Sequence, residues 1–282
     1  MWDWDNPPVP IQRIEVPNTG FMRDQPTNCY ILGRNDVVIV DPGSEPATDL
    51  IPAALAARGD PAVHAIFLTH AHPDHAIGVP ALRRVLGVPV MLHPDNAPIM
   101  GDHISWDDID NRIDEAVPLV VEDHQYDLIM TPGHAPGHVA LFHRESGVML
   151  AGDLVSGNGT IGVFPPAGSM TAYIDSLRRA KAIGPSVLLP GHGPVINDPP
   201  ELFDHYLERR LGREAQIFEL LTTDGTRIAD ILPVLYPDLL PEYSFPAEAT
   251  ILAHLLKLND ERRARPLGGD PKTARWVPCS GT

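Results

Sequence analysis

Apolar positions along the first part of the chain fall into short extended runs. Residues 11–16 (IQRIEV), 27–32 (TNCYIL) and 36–41 (DVVIVD) are rich in β-branched side chains and separated by turn residues, the last run stopping at Pro42-Gly43. They predict strands of one sheet. Residues 47–58 place Ala and Leu at helical spacing with Gly59 as the stop, VHAIFLT (63–69) reads as a buried strand, 75–86 as a helix, and VPVMLH (88–93) as a further strand. Residues 101–116 are polar, acidic and aperiodic, which predicts a surface loop with a short helix bordering a site. QYDLIMT, HVALFH and VMLAGD add three strands, and a helix over 170–183 leads into SVLLPGHG, a strand that ends in a turn.

After Pro199-Pro200 the pattern changes period. ELFDHYLERRLGREAQIFELL puts apolar residues at 203, 207, 211, 215 and 218, one stripe of a long helix. Helical segments near 226–235 and 246–259, then two extended runs around the glycines of RARPLGG…ARWVP, complete a small helical module closed by a hairpin. The division expected is a domain over 1–199 and a second over 200–282.

Composition narrows the picture. A chain of 282 residues with 43% hydrophobic content can bury a sizeable core, and its 31 prolines suit many rigid turns. No apolar run approaches the roughly 20 residues of a membrane span. The opening MWDWDNPPVP lacks the basic end and apolar stretch of a signal peptide, so a cytoplasmic location and no membrane partner are expected. Cys29 and Cys279 alone give no disulfide framework and no cysteine metal motif. The formal charge of −16 makes an unfavourable field for long nucleic acids, whose phosphates are usually met by Lys and Arg.

The chemistry concentrates in THAHPDHAIG, residues 69–78, where His70, His72, Asp74 and His75 occupy six positions at the end of a buried strand and the start of a helix. In an extended strand end, 70, 72 and 74 point the same way, while His75 begins the helix and turns toward a neighbouring centre. Three later strand ends each offer one more donor: His134 in MTPGHAPGH, Asp153 in LAGD and His192 in LPGHG. Imidazoles with one or two carboxylates suit zinc, and an incomplete protein shell leaves room for water, as catalytic sites do. His138, four residues after His134, is assigned to an outer or core role, and Asp41 to orienting a ligand from behind. His64, His93, His103, His124, His143, His205 and His254 are read as ordinary surface or core residues.

HxHxDH at 70–75 followed by His134, Asp153 and His192 resembles the metallo-β-lactamase superfamily of hydrolases, especially glyoxalase II-like enzymes. Within it, GDLVSGNGTIGVF, LPGHGPVI and YLERRLGREAQIFELL are similar to the lactamase-beta-like protein two group, and the likeness spans nearly the whole chain. The resemblance implies an α/β fold, an αββα sandwich of two mixed sheets with helices outside, and a C-terminal winged-helix-like module. It also implies two metal ions per chain: one on His70, His72 and His134, the other on Asp74, His75 and His192, with Asp153 bridging both. Zinc is favoured because iron-binding flavodiiron relatives commonly carry a glutamate where His72 stands; iron and manganese are the alternatives. A cysteine commonly occupies the place of Asp153 in true β-lactamases, which turns the expectation away from lactams.

The expected reaction is hydrolysis of a small-molecule ester or thioester by a metal-bridging hydroxide, with Asp74 as catalytic proton shuttle. The alternative is a single-strand-specific endoribonuclease or phosphodiesterase, with Arg209, Arg210 and Arg213 on phosphates rather than on a solvated helix face; β-lactam or lactone hydrolysis is a lesser one. A small-molecule partner is therefore expected ahead of nucleic acid. A third, non-enzymatic alternative makes the appended module the working part and the metal domain a scaffold. Residues 101–116 and 157–164 are expected to edge the pocket, with Phe164 and Tyr206 as candidate apolar lining.

Overall fold

Alternation along the strands builds two sheets with three apolar layers. In the computed structural model, which describes residues 1–19, 22 and 24–279, one sheet runs in the order Ile11–Val16 (β1), Thr27–Leu32 (β2), Asp36–Val40 (β3), Ala62–Phe67 (β4), Val90–Leu92 (β5) and Asn111–Arg112 (β6). The other takes Leu119–Val121 (β7), His124–Met130 (β8), Val139–His143 (β9), Val148–Gly152 (β10) and Val187–Pro190 (β11), ordered β11-β10-β9-β8-β7. Each sheet mixes parallel and antiparallel neighbours. Tyr30, Leu32, Val38 and Val40 face Val139, Leu141, Val148 and Leu150 between the sheets. Their alternate neighbours Cys29, Ile31, Val37 and Ile39 face Ala47–Ala57 (α1) and Val79–Leu86 (α3) on one outside, while Ala140, Phe142, Met149 and Ala151 face Met170–Ile183 (α4) on the other. Period-two patterning thus buries both faces of each sheet, giving the αββα sandwich.

The single helix expected over 75–86 is two. Pro73–Ala76 (α2) ends at Ile77, and α3 restarts after Gly78, with Pro80 in its first turn, where a missing N–H costs nothing. Gly78 packs so closely that a Cβ would lie 2.6 Å from the Ser44 carbonyl oxygen. Between β5 and β7 the acidic segment carries a short helical turn, Trp106–Asp108, and supplies β6 to the first sheet.

The long helix is Pro199–Glu219 (α5), followed by Ile228–Leu235 (α6), Ser244–Asp260 (α7) and the hairpin of Ala264–Leu267 (β12) with Arg275–Pro278 (β13). Its buried face differs from the apolar stripe. Phe203, Tyr206, Arg210, Glu214 and Ile217 are buried, whereas Leu211 is exposed. Two charged residues can occupy a buried face because Glu214 pairs with Lys257 Nζ of α7 at 2.7 Å and with Arg263 at 2.8 Å, while Arg210 donates to Thr160 and Ile161. Phe203, Tyr206 and Ala253 join the core under α4, and Ile217 joins Ile231, Leu255 and Trp276 in a separate C-terminal core. No described helix is long and apolar enough to cross a membrane.

Candidate metal centre and substrate cavity

The donors gather where strands end. β3 runs out into Asp41, β4 into the 69–75 segment, β10 into Asp153 and β11 into His192, while His134 lies in the turn that precedes β9. Two glycines let these loops close on one another. Gly152 has φ +48° and a Cβ there would lie 2.6 Å from His138 Nε2; a Cβ on Gly191 would lie 2.4 Å from Asp153 Oδ1.

All seven residues expected as ligands converge. The donor atoms of His70, His72 and His134 lie within 4.8 Å of one another, and so do those of Asp74, His75 and His192. Asp153 lies between the two sets: its Oδ2 is 3.4 Å from His134 Nε2, and its Oδ1 is 3.4 Å from His75 Nε2 and 3.6 Å from His192 Nε2. Asp74 Oδ2 is 3.2 Å from His192 Nε2.

Hydrogen bonds on the outer side of the rings settle which nitrogen each presents. His75 Nδ1–H donates to Asp41 Oδ2 at 3.0 Å, His134 Nδ1–H to the Gly162 carbonyl at 2.7 Å, and His192 Nδ1–H to the Pro26 carbonyl at 3.0 Å. Thr69 Oγ1 donates to Asp41 Oδ2 at 2.6 Å and so accepts from His70 Nδ1 at 3.0 Å. In all four rings Nε2 is left with its lone pair turned inward. His70 Nε2 and Asp153 Oδ1 are buried without a hydrogen-bond partner among the described residues, and the Nε2 atoms of His75 and His192 face each other at 3.3 Å. Converging lone pairs, buried orphans and oriented outer nitrogens fit bound divalent cations and leave a protein-only network unsatisfied.

Electrostatics agree. Burial, with the neighbouring rings, holds His70 far below the usual imidazole range and His72 at about 3, so both are neutral donors. Burial works against protonating His75 and His192 too, yet the carboxylates around them outweigh it and push both up. Burial raises Asp74, but His75 and the contact with His192 overcome it and hold the carboxyl at about 2. The second cluster therefore attracts positive charge, from a proton or a metal ion.

His138 is different in kind: its Nδ1 bonds Thr131 Oγ1 at 2.7 Å and its Nε2 accepts the Asp153 N–H at 2.8 Å. Both nitrogens are used, and the ring steadies the Asp153 loop. Asp41 also accepts the Thr69 N–H at 2.8 Å and holds a left-handed φ of 49°. Its Oδ2 orients His75 directly and His70 through Thr69, both from behind.

A cavity of about 550 Å³ opens from His72, Asp74, His134, Asp153 and His192. Residues 158–162 and Phe164 form one wall, as expected. The 101–116 segment does not line it; His103 Nε2 instead donates to the Ala71 carbonyl at 2.8 Å, and Ile104 is buried in the core beyond. The facing wall comes from the C-terminal part, with Arg209, Arg210 and Arg213 of α5 and with Tyr236, Leu239, Tyr243 and Thr250. Sequence reasoning missed the last four, whose position depends on how α7 docks on α4 and α5. Tyr206 is buried, and its hydroxyl accepts the Ser156 N–H at 3.0 Å, so it supports the 156–159 loop from beneath.

A model of the metallo-beta-lactamase superfamily matches residues 22–192, and one of the beta-lactamase associated winged helix domain matches residues 228–276. A beta-lactamase-like protein 2 homolog from Drosophila melanogaster is 30% identical over 274 residues, covering 90% of this chain and 89% of its own. An atrochrysone carboxyl ACP thioesterase from Aspergillus fumigatus is 30% identical over 215 residues, 73% of this chain, and the match spans 63% of that protein's length. A solved metallo-beta-lactamase family protein from Thermus thermophilus superposes with a TM-score of 0.76, at 25% identity, over 95% of this chain and 98% of its own. The chain belongs to the metallo-β-lactamase superfamily, a hydrolase with a β-lactamase-associated winged-helix domain at its C-terminal side.

Proposed function

We propose that this hydrolase is a dinuclear enzyme that cleaves an ester or thioester of a small carboxylic acid. The observation that carries it is the placement of Asp153, one oxygen toward His134 and the other toward His75 and His192, between two donor sets at the floor of a small-molecule-sized cavity. His70, His72 and His134 would hold one ion, and Asp74, His75 and His192 the other. Zinc is the ion we assign, since the donors are imidazoles and carboxylates. When bound, such ions supply Lewis acidity that polarises a carbonyl and makes water acidic near neutral pH.

The remaining tasks fall to the chain. Asp74 lies on the cavity wall beside His192, in reach of a proton released from attacking water, and we assign it the transfer of that proton to the leaving group. Phe164, Ile161 and Leu239 narrow the approach and exclude solvent from the acyl group. The thioester is the preferred bond because a relative of 30% identity is named as a thioesterase, and the formal charge of −16 weighs against RNA.

Metal content by elemental mass spectrometry, paired with turnover of thioesters, esters, lactones, a chromogenic lactam, phosphodiesters and short RNA, tests the proposal. About two ions per chain with chelator-sensitive thioester or ester cleavage is the expected result. Cleavage confined to phosphodiesters or RNA would replace it with the nuclease reading, and a metal-free protein after remetallation would end it.

A further inference from the structure

The α5 wall of the cavity carries positive charge with no carboxylate paired to it among the described residues. Arg209, Arg210 and Arg213 all line the cavity, and 209 and 213 lie four residues apart on one helix face. Arg210 is 4% exposed, donates to Thr160 Oγ1 and to the Ile161 carbonyl, and leaves its Nε buried without a partner among the described residues. Among the described residues none of the three has a carboxylate in ion-pair range. Glu214, one turn beyond Arg210, is spent on Lys257 and Arg263.

The other two arginines are placed differently. Arg213 lies over Tyr236, its guanidinium carbon 4.6 Å from the ring centre, with a single weak bond to the Leu235 carbonyl at 3.5 Å. Arg209 makes no hydrogen bond or ion pair among the described residues. In a chain whose formal charge is −16, three unneutralised guanidinium groups on one wall are a local reversal of sign. Only Arg210 is buried, where a cation without a counter-ion is costly; Arg213 is half-buried and Arg209 exposed, so these two are open to a ligand that brings the counter-charge.

We propose that the substrate carries an anionic group, a carboxylate or a phosphate, seated against Arg209 and Arg213, while its apolar part lies along Phe164, Tyr236 and Leu239. This rests on the ester or thioester reading of the same cavity. Arg213, held over Tyr236, and Arg209, without a partner among the described residues, offer the planar donors that suit either anion, and Arg210 adds charge from behind residues 160–161. The reacting carbonyl then lies at the Asp153 end, with the anion at the α5 end. A cavity of about 550 Å³ holds a small molecule of this kind, whereas a polynucleotide needs a basic track running beyond it.

The test separates binding from turnover by using uncleavable thioethers. Two matched pairs are titrated calorimetrically into the metal-replete protein: S-alkyl cysteamine with and without a terminal carboxylate on the alkyl chain, and S-alkyl pantetheine with and without its 4′-phosphate. In at least one pair the charged member is expected to bind about tenfold tighter or more, with the double variant Arg209→Gln, Arg213→Gln removing that preference and Arg178→Gln, a charge-matched control on α4, keeping it. Preference in the first pair places the anion on the acyl side, and preference in the second places it on the leaving group.

No preference in either pair, whether from equal binding or from none, overturns the proposal. So does a preference that survives the double variant, or an arginine dependence seen only with a short single-stranded RNA. Turnover of the corresponding thioesters is scored separately: selective thioether binding without cleavage keeps the anion site and removes the thioesterase reading, and cleavage without charge preference does the reverse.

Discussion

Asp41 Oδ2 lies 3.0 Å from His75 Nδ1, on the opposite side of the ring from the nitrogen that faces His192. The same carboxylate reaches His70 through Thr69, so one residue fixes the tautomer of a ring in each donor cluster. Asn tolerates the left-handed backbone at position 41, which makes Asp41→Asn a clean test of the acceptor role. Metal affinity, measured by competition with a chromogenic chelator, is expected to fall about 10- to 100-fold with unchanged circular dichroism. Unaltered affinity would remove the orienting role.

Asp74→Asn withdraws both a donor from the second cluster and the proposed proton carrier. Turnover of the best ester or thioester should drop by about 100-fold or more. Elemental analysis of the same sample should show His70, His72 and His134 still loaded. A variant holding both ions at full turnover would dismiss Asp74 from the mechanism.

Glu214, 4% exposed, holds Lys257 of α7 and Arg263 just before β12 to the long helix. Glu214→Ala leaves Lys257 and Arg263 to share the more exposed Glu261 and empties a buried acceptor site, at an expected loss of about 1.5–3 kcal/mol in urea denaturation. A loss below about 1 kcal/mol would mean that water replaces the carboxylate readily.

His254 is completely buried, and burial, with the charges of Arg210, Lys257 and Arg213, holds its imidazole at about 3. An unfolded histidine titrates near 6.5, so between these values the unfolded chain binds the extra proton. The stability associated with neutral His254 is full above about pH 6.5 and drains away as the pH falls toward about 3. His254→Leu should flatten the dependence of unfolding free energy on pH between 6.5 and 4 by roughly one proton. Parallel curves for the two proteins would show that His254 is solvated in the fold.

The layers of the sandwich were readable because β2, β3, β9 and β10 alternate between two apolar environments, and a period of two survives whatever docks on it. The donors were readable because strand ends bring His70, Asp153 and His192 to one edge. His134 could be separated from His138 only by their partners, since two histidines four apart look alike until one is seen spending both nitrogens inside the protein. The buried face of α5 escaped because Arg210 and Glu214 look solvent-facing, and only tertiary pairing makes their burial tolerable. The far wall of the cavity escaped for the same reason: Tyr236, Leu239 and Thr250 acquire their role from docking, which leaves no local periodicity.

That wall has a consequence for how such a protein diversifies. The Asp and His clusters come from turns before residue 193, while Arg209, Tyr236, Leu239 and Tyr243 come after residue 208. The donor loops and the wall of residues 158–162 and Phe164 are therefore written in one stretch of chain, and the facing wall in another. Substitutions in the later stretch, on a helix face and its connection, reshape one wall of the cavity without disturbing the ligand loops or the sheets that hold them.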